Sequence, residues 1–206
     1  MNGKIAIVDY GMGNLSSVHK KVQRLNAHPF VTSDPGELLT ADKIILPGVG
    51  HFRKAMNNLE ELKLLPILNE IVIDKKIPIL GICLGMQLMA RHSDEGNVNG
   101  IGWIDADIKH FSIRDKLSFK VPHMGWNQVK FMKESALLKG IPEFSEFYFV
   151  HSYHLIVNDQ SVSLTETKYE YPFISAIEKE NIYGVQYHPE KSHESGEKML
   201  QNFIQI

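Results

Sequence analysis

The only cysteine of the chain, Cys83, lies in the sequence GICLG, where Gly81 and Gly85 stand two places away on either side. An apolar run leads up to it and a helical pattern follows, as expected for a nucleophile held on a sharp turn between a strand and a helix. Such a turn needs small neighbours, and it places the side chain where open α/β sheets bind ligands. The start of the helix also favours the reactive thiolate. We therefore interpret Cys83 as a nucleophile for acyl transfer; an unreactive core cysteine is the alternative.

A thiolate that attacks an acyl carbon needs a base and a group that orients the base. Among the ten histidines, His188 ends an apolar strand and precedes Pro189, which favours an extended backbone at the residue before it. In an extended segment His188 and Glu190 point to the same side. This spacing predicts that Glu190 holds one ring nitrogen while the other faces Cys83. A strand-end histidine next to a solvated glutamate is the alternative, and the cysteine turn makes it the weaker one.

Acyl transfer also needs hydrogen-bond donors for the oxyanion. One donor is predicted to be the backbone N–H of Leu84, the residue after the nucleophile. The segment LPGVG (46–50) ends another predicted strand, and its glycines allow the backbone to approach a substrate closely. Val49 or Gly50 would supply the second donor. An ordinary Pro-Gly turn is the alternative interpretation.

The segment DYGMGN (9–14) follows a predicted strand and opens a predicted helix. It lacks the third glycine of the dinucleotide-binding sequence GxGxxG, because Ser16 takes that position. The chain also has no GxxxxGK[ST] phosphate loop and no CxxC pair. No cofactor and no metal site is therefore predicted. The segment could shape a pocket or a partner surface, or it could be a plain turn.

These candidate residues require a sheet that brings several strand ends to one edge. In the first half, short apolar runs alternate with helical periodicity, which is typical of a parallel sheet covered on both faces. The predicted strands are residues 4–9, 28–32, 43–48 and 77–82, and the helical patterns are residues 15–25, 51–74 with a break at Pro66, and 84–92.

The second half is rich in strand-like segments with short turns. These segments are residues 105–111, 120–131, 146–157, 161–167 and 172–188, and a final helix begins near Ser195. Several of them can pair as hairpins, so the later strands should be partly antiparallel. We therefore predict one α/β domain over residues 1–206, with an open, mixed but mainly parallel sheet of the flavodoxin-like type and helices on both faces.

Composition limits the classes of function. A chain of 206 residues can bury a core without disulfides or structural metals. Its 22 basic and 24 acidic residues give a net charge of −2, which does not indicate nucleic-acid binding. The longest apolar stretch, residues 77–90, contains Gln87 and two glycines and is too short to span a membrane. A single cysteine and an N-terminus unlike a signal peptide predict a cytoplasmic protein.

Four ordered motifs, PGVG, GICLGMQ, FVHSYH and GVQYHPE, resemble those of the class I glutamine amidotransferases, the triad-type glutaminases. DYGMGNLSSV, HMGWN and HPEKS are similar to motifs of the glutaminase subunits of imidazole glycerol phosphate synthases, which serve histidine biosynthesis. The resemblance implies that Cys83 attacks the side-chain amide of L-glutamine, expels ammonia and leaves a glutamyl thioester. His188 would act as base and then as acid, oriented by Glu190.

The same resemblance implies further contacts. Gln87 would contact the glutamine, and the backbone near Ser152 and Tyr153 would hold its amino-acid end. The partner in this family is a (β/α)8 barrel synthase, which receives the ammonia without its release into bulk water. The residues implied at the partner interface are Asn14, Trp126 and Lys191.

Other functions stay open at this point. Close relatives of these glutaminase subunits serve sugar-modifying pathways for surface polysaccharides with a related barrel partner, and the motifs do not separate the two roles. A stand-alone cysteine hydrolase for peptides or γ-glutamyl compounds is another class, but the chain lacks an added domain or lid for a second substrate. A non-catalytic binding module is a third, and the intact Cys83, His188 and Glu190 argue against it.

Overall fold

The computed structural model describes residues 3–206, which form a large mixed sheet with helices on both faces and a small second sheet. The strands are β1 (Lys4–Val8), β2 (His28–Thr32), β3 (Lys43–Gly48), β4 (Ile79–Cys83), β5 (His92–Ser93), β6 (Val98–Asn99), β7 (Ala106–His110), β8 (His123–Gln128), β9 (Lys130–Phe131), β10 (Glu146–His151), β11 (Tyr153–Val157), β12 (Ser163–Lys168), β13 (Pro172–Lys179) and β14 (Ile182–Val185). The helices are α1 (Leu15–Arg24), α2 (Pro35–Leu38), α3 (Phe52–Glu61), α4 (Leu64–Asn69), α5 (Leu84–Leu88) and α6 (His193–Gln205). No helix in residues 3–206 is long and apolar enough to cross a bilayer.

The large sheet has the order β2-β1-β3-β4-β14-β13-β11-β7-β5-β6, with β12 paired to β13 and β9 paired to β12. The neighbours from β2 to β14 are all parallel. Beyond β14 the pairs are antiparallel, apart from the short parallel pair of β5 and β7. Strands β8 and β10 form the separate antiparallel sheet. The predicted mixed α/β sheet is therefore confirmed.

Alternate residues of β1 divide the core into two layers. Ile5 and Ile7 pack in one apolar cluster with side chains from α1 and α6, while Ala6 and Val8 pack in the other with side chains from α2 to α5. Successive side chains of a strand point to opposite faces, so both faces of the sheet are covered. Four apolar side chains of α6 are buried in the core: Met199, Leu200, Phe203 and Ile204.

The carboxyl ends of three parallel strands meet at one edge. In the register of β3 and β4, Gly48 lies beside Cys83. In the register of β14 and β4, Val185 lies beside Ile82. The LPGVG segment, the cysteine turn and the segment after β14 are consequently brought together, although residues 50 and 188 are far apart in sequence.

The predicted break at Pro66 was wrong. The first helix ends at Glu61, and Lys63 adopts a left-handed conformation with φ of 55° before α4 begins. Pro66 lies in the first turn of α4, where a backbone N–H has no partner within the helix and its absence has little effect. The helical path continues after α4 as a short π-helix over Glu70–Asp74.

The predicted helix over 84–92 was too long. The observed helix, α5, ends at Leu88, because N–H groups of a neighbouring loop donate hydrogen bonds to the carbonyl groups at its end. Leu88 accepts a hydrogen bond from the N–H of Ile101 at 2.8 Å, and Met89 accepts one from Ile104 at 3.0 Å. The chain then turns back into the sheet as β5. Contacts distant in sequence therefore set the end of this helix.

Candidate active site

Cys83 occupies a strained turn between β4 and α5. Its φ of 55° and ψ of −111° lie in a region that residues with a side chain rarely adopt, at a cost of about 1–3 kcal/mol. The flanking glycines are required by close contacts. A Cβ at Gly85 would overlap the carbonyl oxygen of Leu46, and one at Gly81 would lie 2.7 Å from the backbone nitrogen of Met86. The turn therefore fixes the sulfur at the edge of the sheet.

His188 and Glu190 form a buried pair beside this turn. Nδ1 of His188 lies 2.8 Å from Oε1 of Glu190, and both side chains are at most 2% exposed. Since a carboxylate can only accept, Nδ1 carries the proton. The pairing differs in one detail from the expected geometry: His188 is extended, but Glu190 lies in a 3-10 turn over Pro189–Lys191. The turn, rather than strand alternation, brings the carboxylate under the ring.

The charge state of His188 follows from its neighbours. Burial lowers its pKa, but the interactions with Cys83 and Glu190 outweigh burial and raise the pKa to about 10. His188 is therefore an imidazolium at neutral pH, between a sulfur and a carboxylate. The Nε2 atom of His188 is buried and has no hydrogen-bond partner within residues 3–206. In this state, His188 therefore interacts with the sulfur through its charge. Catalytic hydrogen bonds often tighten only when the substrate binds.

A cavity of about 310 Å³ opens on Cys83. Its size is at the lower end for small-molecule sites, which suits a free amino acid better than a peptide. Its lining is made of Val49, Gly50, Cys83, Leu84, Gln87, Glu95, Pro122, Val150, His151, Ser152 and Tyr153. The structure thus brings together every residue predicted for the oxyanion donors and for substrate contact. Among residues 3–206, no group of three or more His, Cys, Asp or Glu side chains is placed to hold a metal ion.

Comparisons with known proteins agree with this geometry. The family model "Glutamine amidotransferase class-I" matches residues 6–206. The chain belongs to the class I glutamine amidotransferases. Two relatives come from Methanococcus maripaludis and are named imidazole glycerol phosphate synthase subunits. The one called HisH 2 is 50% identical over 97% of this chain and 98% of its own length. The one called HisH 1 is 43% identical over 98% and 99%.

A solved structure supports the same fold. The structure of PurLQS from Thermotoga maritima is similar to this chain with a TM-score of 0.75 and 17% identity, over 100% of this chain and 99% of that one. At this identity the likeness concerns the fold alone. It supports the observed architecture of a large mixed sheet with helices on both faces.

The residues predicted at a partner interface lie apart from the cavity. Trp126 is 44% exposed and stacks on His193 with ring centroids 4.8 Å apart. Lys191 lies over the ring of Tyr148 at 5.6 Å, and Tyr148 pairs with Trp126 across β8 and β10. We call these four residues the aromatic-basic cluster. Asn14 caps α1 by accepting the backbone N–H of Ser17 at 3.2 Å.

The sequence analysis did not assign a role to two polar residues of this glutamine amidotransferase site. Glu95 is the only carboxylate that lines the cavity, and it also accepts the N–H of Phe52 at 2.7 Å, at the start of α3. Gln186 is fully buried and places its Nε2 3.5 Å from the sulfur of Cys83. Gln186 lies in the quoted sequence GVQYHPE, two places before His188, so strand alternation could have indicated that both side chains face the same side.

Two buried histidines, His123 and His151, lie together at the cavity, and His151 forms part of its lining. The Nδ1 atom of His123 is 3.0 Å from the Nε2 atom of His151. The Nδ1 atom of His151 is in turn 2.7 Å from the carbonyl oxygen of Tyr153. That carbonyl can only accept, so His151 donates to it and accepts from His123. Burial lowers the pKa of His123 to about 4, and burial also holds the pKa of His151 well below its ordinary value. Both rings are therefore neutral at neutral pH.

Acidification is expected to destabilise the fold through these rings. Between pH 6.5 and about 4, an unfolded histidine binds a proton that folded His123 does not, so the free energy of unfolding falls as pH decreases. The slope is up to about 1.4 kcal/mol per pH unit for each such histidine. Urea unfolding at pH 7 and pH 5 should show a smaller loss for His123→Asn than for the wild type. The variant His28→Asn, at an exposed position, is the control. If His123→Asn loses as much free energy of unfolding between pH 7 and pH 5 as the wild type, His123 is not the source of the acid sensitivity.

Proposed function

We propose that this chain is the glutaminase subunit of an imidazole glycerol phosphate synthase, in histidine biosynthesis. It would hydrolyse L-glutamine and pass the ammonia to a synthase subunit. The observation that carries the proposal is a buried pair of His188 and Glu190 that interacts with Cys83, which itself lines a cavity sized for an amino acid. Relatives at 43–50% identity that carry this subunit name support it.

In the proposed reaction, the sulfur of Cys83 attacks the side-chain amide carbon of glutamine. The N–H groups of Leu84 and of Val49 or Gly50 receive the oxyanion. His188 already holds a proton, which Nε2 gives to the leaving nitrogen, so that ammonia departs and a thioester remains. The neutral ring then takes a proton from water, which attacks the thioester. Collapse of the second oxyanion releases glutamate and restores the thiolate and imidazolium.

Other residues of the cavity lining are proposed to select the substrate. Gln87 would contact the glutamine, and the backbone of Ser152 and Tyr153 would hold its amino-acid end. Glu95 is the natural partner for the α-ammonium group, because it is the carboxylate among the side chains that line the cavity. Residues 1–206 would form a single catalytic domain in the cytoplasm, consistent with one unpaired cysteine.

The proposed partner is a (β/α)8 barrel synthase. The relatives are named as subunits, which supports a complex, and the family resemblance supplies the barrel. The exposed aromatic-basic cluster of Trp126, Tyr148, Lys191 and His193 offers the kind of surface that protein interfaces favour. Asn14 would contribute from the start of α1.

A direct assay tests the proposal. The purified chain is incubated with L-glutamine, or with a γ-glutamyl peptide, with and without the barrel subunit and its ammonia acceptor. We expect glutamate from glutamine, little reaction of the peptide, and ammonia incorporated into the acceptor when the partner is present. Efficient peptide hydrolysis that no partner changes would instead support a stand-alone cysteine hydrolase.

The ammonia acceptor defines a second candidate function. Methanococcus maripaludis has two relatives of this chain, and the one called HisH 2 is more similar to it than HisH 1. Two copies in one organism leave room for separate roles, such as the modification of surface-polysaccharide sugars by the same glutaminase chemistry. Deletion of the gene in the native cell distinguishes the two roles. A deletion strain that requires added histidine supports the first role, and one that grows normally but has an altered surface polysaccharide supports the second.

A contact joins the DYGMGN segment to the proposed oxyanion donors. The buried hydroxyl of Tyr10 donates to the carbonyl oxygen of Pro47 at 2.8 Å, and a Cβ at Gly50 would meet Met12 at 2.8 Å. A partner that moves residues 9–14 would therefore also move residues 46–50. Gly50, with φ of 109°, gives this segment conformational freedom.

We expect the free chain to be a poor glutaminase that its loaded partner activates. Alignment of one oxyanion donor is worth roughly 2.7–4 kcal/mol, or about 10²–10³ in turnover. The measurement is steady-state glutamate release by the chain alone, with the barrel subunit, and with barrel subunit plus acceptor. Activation should be weaker in Tyr10→Phe, which lacks the link to Pro47, whereas the exposed control His28→Asn should respond as wild type. Full activity of the isolated chain would contradict this gating.

A further inference from the structure

Gln186 has no part in the reaction as proposed above, yet it contacts the reacting atom. It follows β14, is fully buried and lies next to Cys83 because β14 and β4 run side by side. Its Nε2 is 3.5 Å from the sulfur, a normal length for an N–H donated to sulfur. Its own backbone N–H donates to the carbonyl of Ser175 at 2.8 Å, so the residue is fixed at both ends.

The hydrogen-bond network decides which end of the Gln186 amide faces the sulfur. The Nε2 of Gln87 donates to the carbonyl oxygen of Tyr153 at 3.1 Å and to Oε1 of Gln186 at 2.9 Å. The carbonyl of Tyr153 can only accept, which assigns the amino group of Gln87. Gln186 must then turn its oxygen toward Gln87 and its amino group toward Cys83.

Besides His188, two polar groups contact the sulfur, and they favour opposite protonation states. The carbonyl oxygen of Val150, at 4.0 Å, can interact only with a thiol that donates. The amino group of Gln186 can interact favourably with a thiolate, which accepts. A buried charge needs such donors, and hydrogen bonds to charged groups are stronger than neutral ones.

We propose that Gln186 is a further catalytic residue, which holds the Cys83 thiolate through its side-chain N–H. The bond is strong while the sulfur is negative and weak in the neutral thioester. It therefore favours the resting thiolate and also the sulfur as leaving group when water cleaves the thioester. Gln87, which lines the substrate cavity, orients Gln186. The role in turnover rests on the proposed glutaminase function, whereas the contact with the thiolate does not.

The test is alkylation of Cys83 by iodoacetamide as a function of pH, which is unambiguous because the chain has one cysteine. We expect Gln186→Met, similar in length but without a donor, to react about ten-fold more slowly at pH 7, and its rate to rise at higher pH than that of wild type. Thr167→Val is the matched control. It removes a buried hydrogen bond to Ser175 that does not involve the sulfur, and its pH curve should equal that of wild type.

A second variant keeps the test decisive if Gln186→Met does not fold. Gln186→Glu retains an oxygen for Gln87 but replaces the donor with an acceptor, so alkylation at pH 7 should slow by at least about ten-fold. If Gln186→Met or Gln186→Glu folds and its rate of alkylation depends on pH as in the wild type, the proposal is overturned. Glutamine turnover is measured separately: rapid alkylation of the wild type without any glutamine hydrolysis would reject the proposed function and leave the assignment of Gln186 intact.

Discussion

Replacement of Cys83 with alanine is expected to abolish glutamine hydrolysis, because no thioester can form. Loss of a nucleophile from a catalytic triad lowers turnover by about 10⁶ in a serine protease, and we expect a loss of that order here. The measurement is release of glutamate from L-glutamine, by the chain with its partner so that the starting activity is high. Retention of more than a small fraction of the activity would mean that another group is the nucleophile.

Two controls separate chemistry from folding in that experiment. The alanine side chain keeps the Cβ at the strained φ of 55°, so the free energy of unfolding should stay within about 1 kcal/mol of wild type, whereas Cys83→Gly should be more stable because glycine removes the strain. A diazo-ketone analogue of glutamine should label the wild type at Cys83 and leave Cys83→Ala unlabelled. Labelling of the alanine variant would place the reactive group elsewhere.

Local signals explain what could be predicted about this site. A run of apolar residues followed by GICLG is enough to indicate a strand, a sharp turn and a helix start, because the required small residues are neighbours in the chain. The pairing of His188 with Glu190 was predicted for the same reason, although the 3-10 turn after Pro189 makes the contact in place of an extended strand.

Contacts distant in sequence explain what could not be predicted. Helix α5 ends at Leu88 because residues 101–104 take up its last carbonyl groups, and periodicity carries no information about that loop. Glu95 lies in a turn between short strands, where its sequence resembles any polar loop. The helix is interrupted at Lys63 instead of Pro66, because Lys63 adopts a left-handed conformation although it is not a glycine. Each of these features is fixed by packing rather than by local pattern.

His188→Ala is expected to be almost as damaging as Cys83→Ala. The ring supplies the proton for ammonia and later removes one from water, and in a serine protease loss of the histidine costs about as much as loss of the whole triad. Interactions with Cys83 and Glu190 also raise the pKa of His188 to about 10, so the substitution removes a positive charge from beside the sulfur. Glutamate release by the partnered enzyme is the measurement, with the exposed His28→Ala as control.

Glu190→Gln should be damaging but milder, with a loss of about 10–10³. In a serine protease the matching amide substitution costs about 10⁴, because it favours the wrong tautomer of the histidine. A cysteine enzyme should depend on it less, because a thiol ionises more readily than a hydroxyl. The amide also removes the negative charge that helps to raise the pKa of His188, so the proton should leave His188 at a lower pH than in wild type, which NMR titration of the ring can follow. Equal losses for His188→Ala and Glu190→Gln, or an unchanged titration of His188, would mean that Glu190 does not orient the base.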